Sequence, residues 1–416
     1  MDPALDYSCR GNPAFWISAC FDWVCIGSVF GDFLENEKKM KIVPLLFTVT
    51  LLATLHGEWI QPPRHSAKGY LVPTPDYKPS FPRDHGAHRA YGLEWWYWVG
   101  HLEVEGSAEK FGFQSTVFRL AGDPKESNQS AEAPFGNQQL YLAHSALSDL
   151  NEGRYLHTER VMREGWQARA DSQTMSFRVA GIRAEISKDG FGHSLITQYP
   201  KGGRLELQLN PAKPIIRFGE RGLSRKGDDP ASVSWYWSYT RLKATGMLLY
   251  QGKELKVKGE AWMDHEISSS QLGDGLAGWD WTCMQLFDGT EVKAYRLRKE
   301  DGGSDPWSAV YWIDHEGEVD GVYADRFSWL EEKEWTSPKT GLTYPTTVKI
   351  EVDHPKKGKL TYRIEPLINK QEFYGLQADN AYWEGACRVI DNEGRIIGRA
   401  YLELAGYGGG LGARLN

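Results

Sequence analysis

Lys110-Phe111-Gly112-Phe113-Gln114-Ser115-Thr116-Val117-Phe118-Arg119 is the stretch that decides the fold class. Its aromatic and β-branched residues fit a pleated strand, and the pattern repeats every two residues rather than every 3.6. The preceding run, Glu94-Trp95-Trp96-Tyr97-Trp98-Val99-Gly100-His101-Leu102, has the same character. Between the two lies Glu105-Gly106, where a hairpin needs a residue that tolerates positive φ.

Working outward, Gln139 to Leu147, Arg204 to Leu209, Val233 to Leu242 and Val292 to Leu297 also read as strands. Gln251-Gly252, Asp288-Gly289 and Glu316-Gly317 punctuate them as turns. No long helical stripe interrupts the pattern, so the chain reads as all-β. Many short antiparallel strands need their edges covered, and closure into barrels achieves that. A length of 416 residues suits two such domains. The run Ser268 to Ala277 reads as the connection, giving domains over residues 75–268 and 275–412, with a polar loop at 123–137.

The net charge of −7 offers no basic face for phosphates, so nucleic acid is not an expected partner. The 17 Trp and 20 Tyr instead suit an apolar small-molecule ligand. Near the start, Lys38-Lys39-Met40-Lys41 precedes an apolar run from Ile42 to Leu55, the shape of a signal peptide over residues 40–57. Residues 1–39 then read as upstream extension, with Met40 the true start and the product exported, periplasmic or secreted. Contact with a membrane surface is compatible with such a product. Beyond the run only Cys283 and Cys387 remain, a pair able to form a disulfide in an oxidising compartment.

Chemistry concentrates in Trp262-Met263-Asp264-His265-Glu266. Alternation places Trp262, Asp264 and Glu266 on one face, with Met263 and His265 on the other. A carboxyl buried among indoles resists ionisation and can donate a proton, while an indole face stabilises a cation. The plain alternative is that Asp264 and Glu266 pair with Arg or cap a turn. His85 and His88 sit in Pro/Gly-rich coil without a third ligand nearby in sequence, so no metal is expected. No Gly-x-Ser-x-Gly elbow is present, which speaks against serine hydrolase chemistry.

Asp84 to His88, Glu94 to Leu102, Ala261 to Glu266, Gly278-Trp279-Asp280-Trp281 and Tyr382-Trp383-Glu384-Gly385-Ala386 together resemble the carotenoid 1,2-hydratase (CrtC)/AttH-like family. The resemblance runs from about Asp84 to Tyr407 and implies two lipocalin-like β-barrel domains. In the hydratase branch water adds to a terminal double bond of acyclic carotenoids without a cofactor. An aspartate in an aromatic-x-Asp-His segment is the acid there, which corresponds here to Asp264, with Trp262 at the aromatic place. A His-x-Trp pair of that branch is matched by Trp235-Tyr236-Trp237, with Trp237 in register and no histidine.

The expectation is a cofactor-free hydro-lyase. Asp264 protonates a trisubstituted alkene, Trp262 and Trp237 face the tertiary cation, and His265, or Glu266 through a water, takes the second proton. Trp96, Trp98, Trp235, Trp237, Tyr239, Trp279 and Trp281 are the expected ligand-binding residues. A non-catalytic lipid or polyene carrier is the second reading, and a hydrolase the third.

Overall fold

The structure, a computed structural model, describes residues 59–122, 124, 139–375 and 381–409. The extension and signal peptide assigned to residues 1–57, and nearly all of the 123–137 loop, lie outside the described residues. From Trp59 onward the chain is one compact unit.

Lys110–Leu120 is a strand paired antiparallel with Leu93–Val104. The turn chemistry is equally direct at Gln251-Gly252, which joins Val233–Tyr250 to Lys253–Ser268 with φ of 52° and 77°. Two successive positive φ values match the right-handed twist of the flanking strands. Among the described residues thirteen strands make one antiparallel sheet and ten make a second. The last strand of the first sheet ends at Ser268 and the first strand of the second begins at Leu276.

Each sheet curls until its edge strands share a core. Leu156 and Met162 on one edge of the first sheet pack into the same cluster as Ala168 and Ala170 on the other. In the second sheet Val322 and Trp329, again from opposite edges, pack with Met284 and Leu402. The result is two consecutive antiparallel barrels in an all-β chain. Among the described residues no helix is long and apolar enough to cross a membrane.

Alternation then creates a third core. On Leu93–Val104, Trp96 and Trp98 point into the first barrel, whereas Tyr97 and Val99 point out. On Leu276–Leu286, Met284 points into the second barrel, whereas Trp281 and Cys283 point out. The two outward faces pack on each other. Gln285 Nε2 donates to Thr240 O and Ala261 O at 2.8 and 2.9 Å, and Arg241 Nε donates to Glu291 Oε1 at 2.6 Å. At Gly112 a Cβ would stand 2.7 Å from Tyr401 Oη and 2.8 Å from Ala386 Cβ, so only glycine permits this approach. Buried hydrogen bonds of this kind fix one register between the faces, because breaking them strands polar groups away from water.

The expected option of a Cys283–Cys387 disulfide is corrected: both thiols are free and buried. Cys283 belongs to the junction core and Cys387 to the second barrel's interior, on strands separated by Ile396–Ala405. Two strand spacings amount to about 10 Å, beyond the reach of a disulfide.

Candidate active site

Asp264 sits on the outward face of Lys253–Ser268, 2% exposed, at the wall of a cavity of about 500 Å³ between the two barrels. Three donors converge on it. Tyr236 Oη donates to Oδ2 at 2.6 Å, Trp262 Nε1 donates to Oδ1 at 2.6 Å, and Ser238 Oγ also donates to Oδ1. Tyr236 Oη in turn accepts from Trp281 Nε1 at 3.1 Å. Burial raises the Asp264 carboxyl above its ordinary range, against the opposing pull of Lys293 and these donors. Lys293 itself is fully buried over the Phe218 and Tyr236 rings, at 3.6 and 3.3 Å from their centroids, and burial holds its ammonium pKa well down.

The other expected site residues divide between two faces. Glu266, Trp279 and Trp281 line the same cavity as Asp264. Glu266 is ion-paired with Lys226 at 2.7 Å and accepts from Ser234 Oγ at 2.5 Å. Trp262 touches Asp264 by its indole N–H and packs edge-on to Trp281. Trp96, Trp98, Trp235, Trp237, Tyr239 and His265 lie on the opposite face of the first sheet. Trp96 stacks on His265 at 4.9 Å, and Trp237 meets it edge-on at 5.6 Å. Tyr77 from the coil before the first strand stacks on Trp235 at 4.0 Å and closes that side. The proposed encounter of His265 or Trp237 with a ligand beside Asp264 therefore does not occur in this arrangement, since the sheet itself intervenes.

On that inner face a chain of hydrogen bonds runs Asp84, His88, Glu94, His265. His88 Nε2 lies 3.2 Å from Asp84 Oδ1, and His88 Nδ1 and His265 Nε2 lie 2.8 and 2.9 Å from Glu94 Oε1. Glu94 Oε2 takes Arg119 Nε at 2.9 Å. Burial opposes the His88 charge, but Glu94 and Asp84 outweigh it and hold its pKa up at about 9. For His265 burial wins and the ring pKa falls. His88, Glu94 and His265 have the donor types a divalent ion accepts. Their carboxylate is already consumed by two rings and a guanidinium, which fits a structural ion network.

Sequence reading missed three contributors to the cavity. Glu384 and Glu403 face each other in register on Ala381–Ile390 and Ile396–Ala405, and both line the cavity. Glu384 is 1% exposed and accepts from Tyr97 Oη at 2.5 Å. Burial and the facing Glu403 carboxylate raise Glu384 well above its ordinary range. Glu403, partly open to the cavity, is raised chiefly by burial to about 7. Tyr382, hydrogen-bonded to Gln114 Nε2 at 2.8 Å, is the third. The signal lay in Tyr382-Trp383-Glu384 and in Tyr401-Leu402-Glu403, where an acid occupies the same face as a tyrosine.

Two barrels joined through aromatic outer faces around buried carboxyls define a lipocalin-like all-β protein with an acid-bearing cavity at the junction. The chain belongs to the AttH-like family, whose model matches residues 72–407. It is similar to the crystal structure of an AttH protein of Nitrosomonas europaea, at 31% identity over 81% of this chain and 99% of that one, with a TM-score of 0.71. It also shares its fold with kievitone hydratase from Nectria haematococca, at 12% identity, 84% and 98% coverage and a TM-score of 0.59. No curated protein sequence matches the chain.

Proposed function

We propose that this protein is an exported hydratase that adds water across a carbon–carbon double bond of an isoprenoid-like ligand held between its barrels. The observation that carries the reading is the placement of Asp264, buried yet at the wall of an aromatic cavity large enough for a small lipid or terpenoid. A tertiary cation survives only where water is scarce, and Trp95, Trp279 and Trp281 line the same space. Similarity of fold to a hydratase adds to the reading without deciding the substrate. Export, and delivery of the ligand from a membrane surface, belong to the same proposal.

The carrier reading draws on one observation: three donors already engage the Asp264 carboxyl, as they would a structural acid. Incubating the purified protein with lycopene, as an acyclic carotenoid, and geraniol, as a short isoprenoid, separates the two. Tertiary-alcohol product from wild type that disappears in Asp264→Asn supports the hydratase. Saturable quenching of tryptophan fluorescence without product from either protein supports the carrier.

A further inference from the structure

Resting on the hydratase reading, we propose that Glu384 and Glu403 are the proton donor of the site: the opposed carboxyls hold one proton between them and deliver it to the ligand's double bond, while Asp264 on the facing sheet receives the proton of the attacking water. The geometry has three parts. Directly opposed residues on antiparallel strands have Cβ atoms about 5 Å apart, so two carboxylates there repel unless a proton is shared. Neither glutamate has an ion-pair partner among the described residues, whereas Glu266 has Lys226. Two side chains that line the cavity, both more than nine-tenths buried, carry a polar atom without a hydrogen-bond partner among the described residues: Gln114 Oε1 and Gln271 Nε2. A buried polar atom without a partner costs free energy, which a small rotation of the amide toward a bound polar group would recover.

The groups facing the pair favour a retained proton. Tyr97 comes from the Leu93 strand, Asp264 and Glu266 from the Lys253 strand, and Trp279 from the Leu276 strand, whose Asp280 points to the other face and pairs with Arg298. Two of these four are acids; of the amines nearby, Lys226 is paired with Glu266, and Lys293 lies over the Tyr236 ring with its pKa held down by burial. Asp264 is placed differently. Its three donors occupy three of about four acceptor sites on a carboxylate, which leaves one on Oδ2 for a water.

The step balances without a cofactor. The pair's O–H bond and the alkene π bond break as a C–H bond forms, leaving a tertiary cation. Water then forms the C–O bond and its proton passes to Asp264; Asp264 releases that proton to solvent and the pair takes one up from solvent, so no net proton is consumed. This assigns the acid to the glutamates and the base to Asp264.

The test follows ¹³C-carboxyl glutamate NMR titrations of the full chain as wild type, Glu384→Gln and Glu403→Gln, and then geraniol and lycopene turnover against pH. Two carboxyls titrating in coupled steps above the ordinary range are expected in wild type. Each substitution should remove one resonance and move the other down. In turnover, kcat should fall about 10²- to 10⁴-fold with KM little changed, and the alkaline limb of the pH profile should vanish. Aspartate at either position should restore part of the rate, which a structural role would not predict. Ordinary-range titration of both glutamates, or variants with unaltered kcat and alkaline limb, overturns the donor pair while leaving the hydratase intact. A wild type that hydrates neither alkene overturns both.

Discussion

Replacing Glu94 by Gln is the sharpest perturbation of the first barrel. The Glu94 side chain is fully buried and neutralises Arg119, also fully buried, through a 2.9 Å ion pair. It also accepts from the His88 backbone N–H at 2.8 Å and from the rings of His88 and His265. An amide preserves the volume but turns one oxygen into a donor and leaves the Arg119 charge uncompensated. Removing one partner of a buried ion pair costs about 3–5 kcal/mol, so Glu94→Gln should lose about 3 kcal/mol of unfolding free energy at pH 7. The pH dependence should change with it. The His88 pKa is raised from 6.5 to about 9 in the folded state, so its contribution is fully present below pH 6.5 and is lost as pH rises through about 9. A shift of that size amounts to roughly 3 kcal/mol. Without the Glu94 charge the His88 ring should lose most of that elevation, and the decline in stability between pH 7 and 9 should flatten. Equilibrium urea denaturation at pH 6, 7.5 and 9 reads both effects. A Glu94→Gln protein within about 0.5 kcal/mol of wild type, with an unchanged pH slope, would refute the ion network as described.

The junction yields further expectations. Glu403, whose folded-state pKa is raised from 4.5 to about 7, contributes stability below pH 4.5 that is lost as pH rises through 7. Glu403→Gln should therefore match wild type at pH 4 and exceed it at pH 8, by at most about 3 kcal/mol and less in proportion to its opening on the cavity; urea midpoints at the two pH values decide it. Lys293 Nζ is buried without a hydrogen-bond partner among the described residues. Lys293→Met should raise thermal stability by an amount equivalent to about 1–3 kcal/mol, and a lower melting temperature would show that the ammonium is needed beside Asp264. Gly112→Ala puts a methyl group 2.7 Å from Tyr401 Oη, so the barrels must separate locally. About 1–3 kcal/mol should be lost in denaturation, together with weaker ligand-induced fluorescence quenching.

Much of this was legible in residues 93–120. Period two gave the strands, Glu-Gly, Gln-Gly and Asp-Gly dipeptides gave the hairpins, and alternation through Trp262 to Glu266 gave two faces that the fold preserves. What alternation cannot say is which face looks into a barrel. Leu93–Val104 is aromatic on both sides, with Trp95 and Tyr97 on one and Trp96 and Trp98 on the other, because each side packs against protein. Trp235, Trp237 and Tyr239 were consequently grouped with Asp264 by proximity along the chain, although the sheet separates them. Glu384 and Glu403 were missed for the complementary reason. Their meeting depends on the pairing of two late strands and on the docking of the second barrel, long-range contacts that leave no local period.

The charge inventory of the two faces is the reason the proposed chemistry is assigned to the junction rather than to the histidine-rich interior. Inside the first barrel, the Asp84 and Glu94 carboxylates are met by Arg83, Arg119 and a protonated His88, so each acid can remain ionised and both have lowered pKa values. Such a network is stable because every charge has its counterpart, and a proton donor is the one thing it does not offer. At the junction, Asp264, Glu266, Glu384 and Glu403 share two amines, Lys226 and Lys293, of which Lys226 is committed to Glu266. Glu384 and Glu403, without an ion-pair partner among the described residues, are the carboxyls that burial pushes toward keeping a proton. In the proposed reaction this surplus of acids over amines lets the glutamate pair hold an exchangeable proton beside the indoles that line the cavity, as acid-promoted addition to an alkene requires.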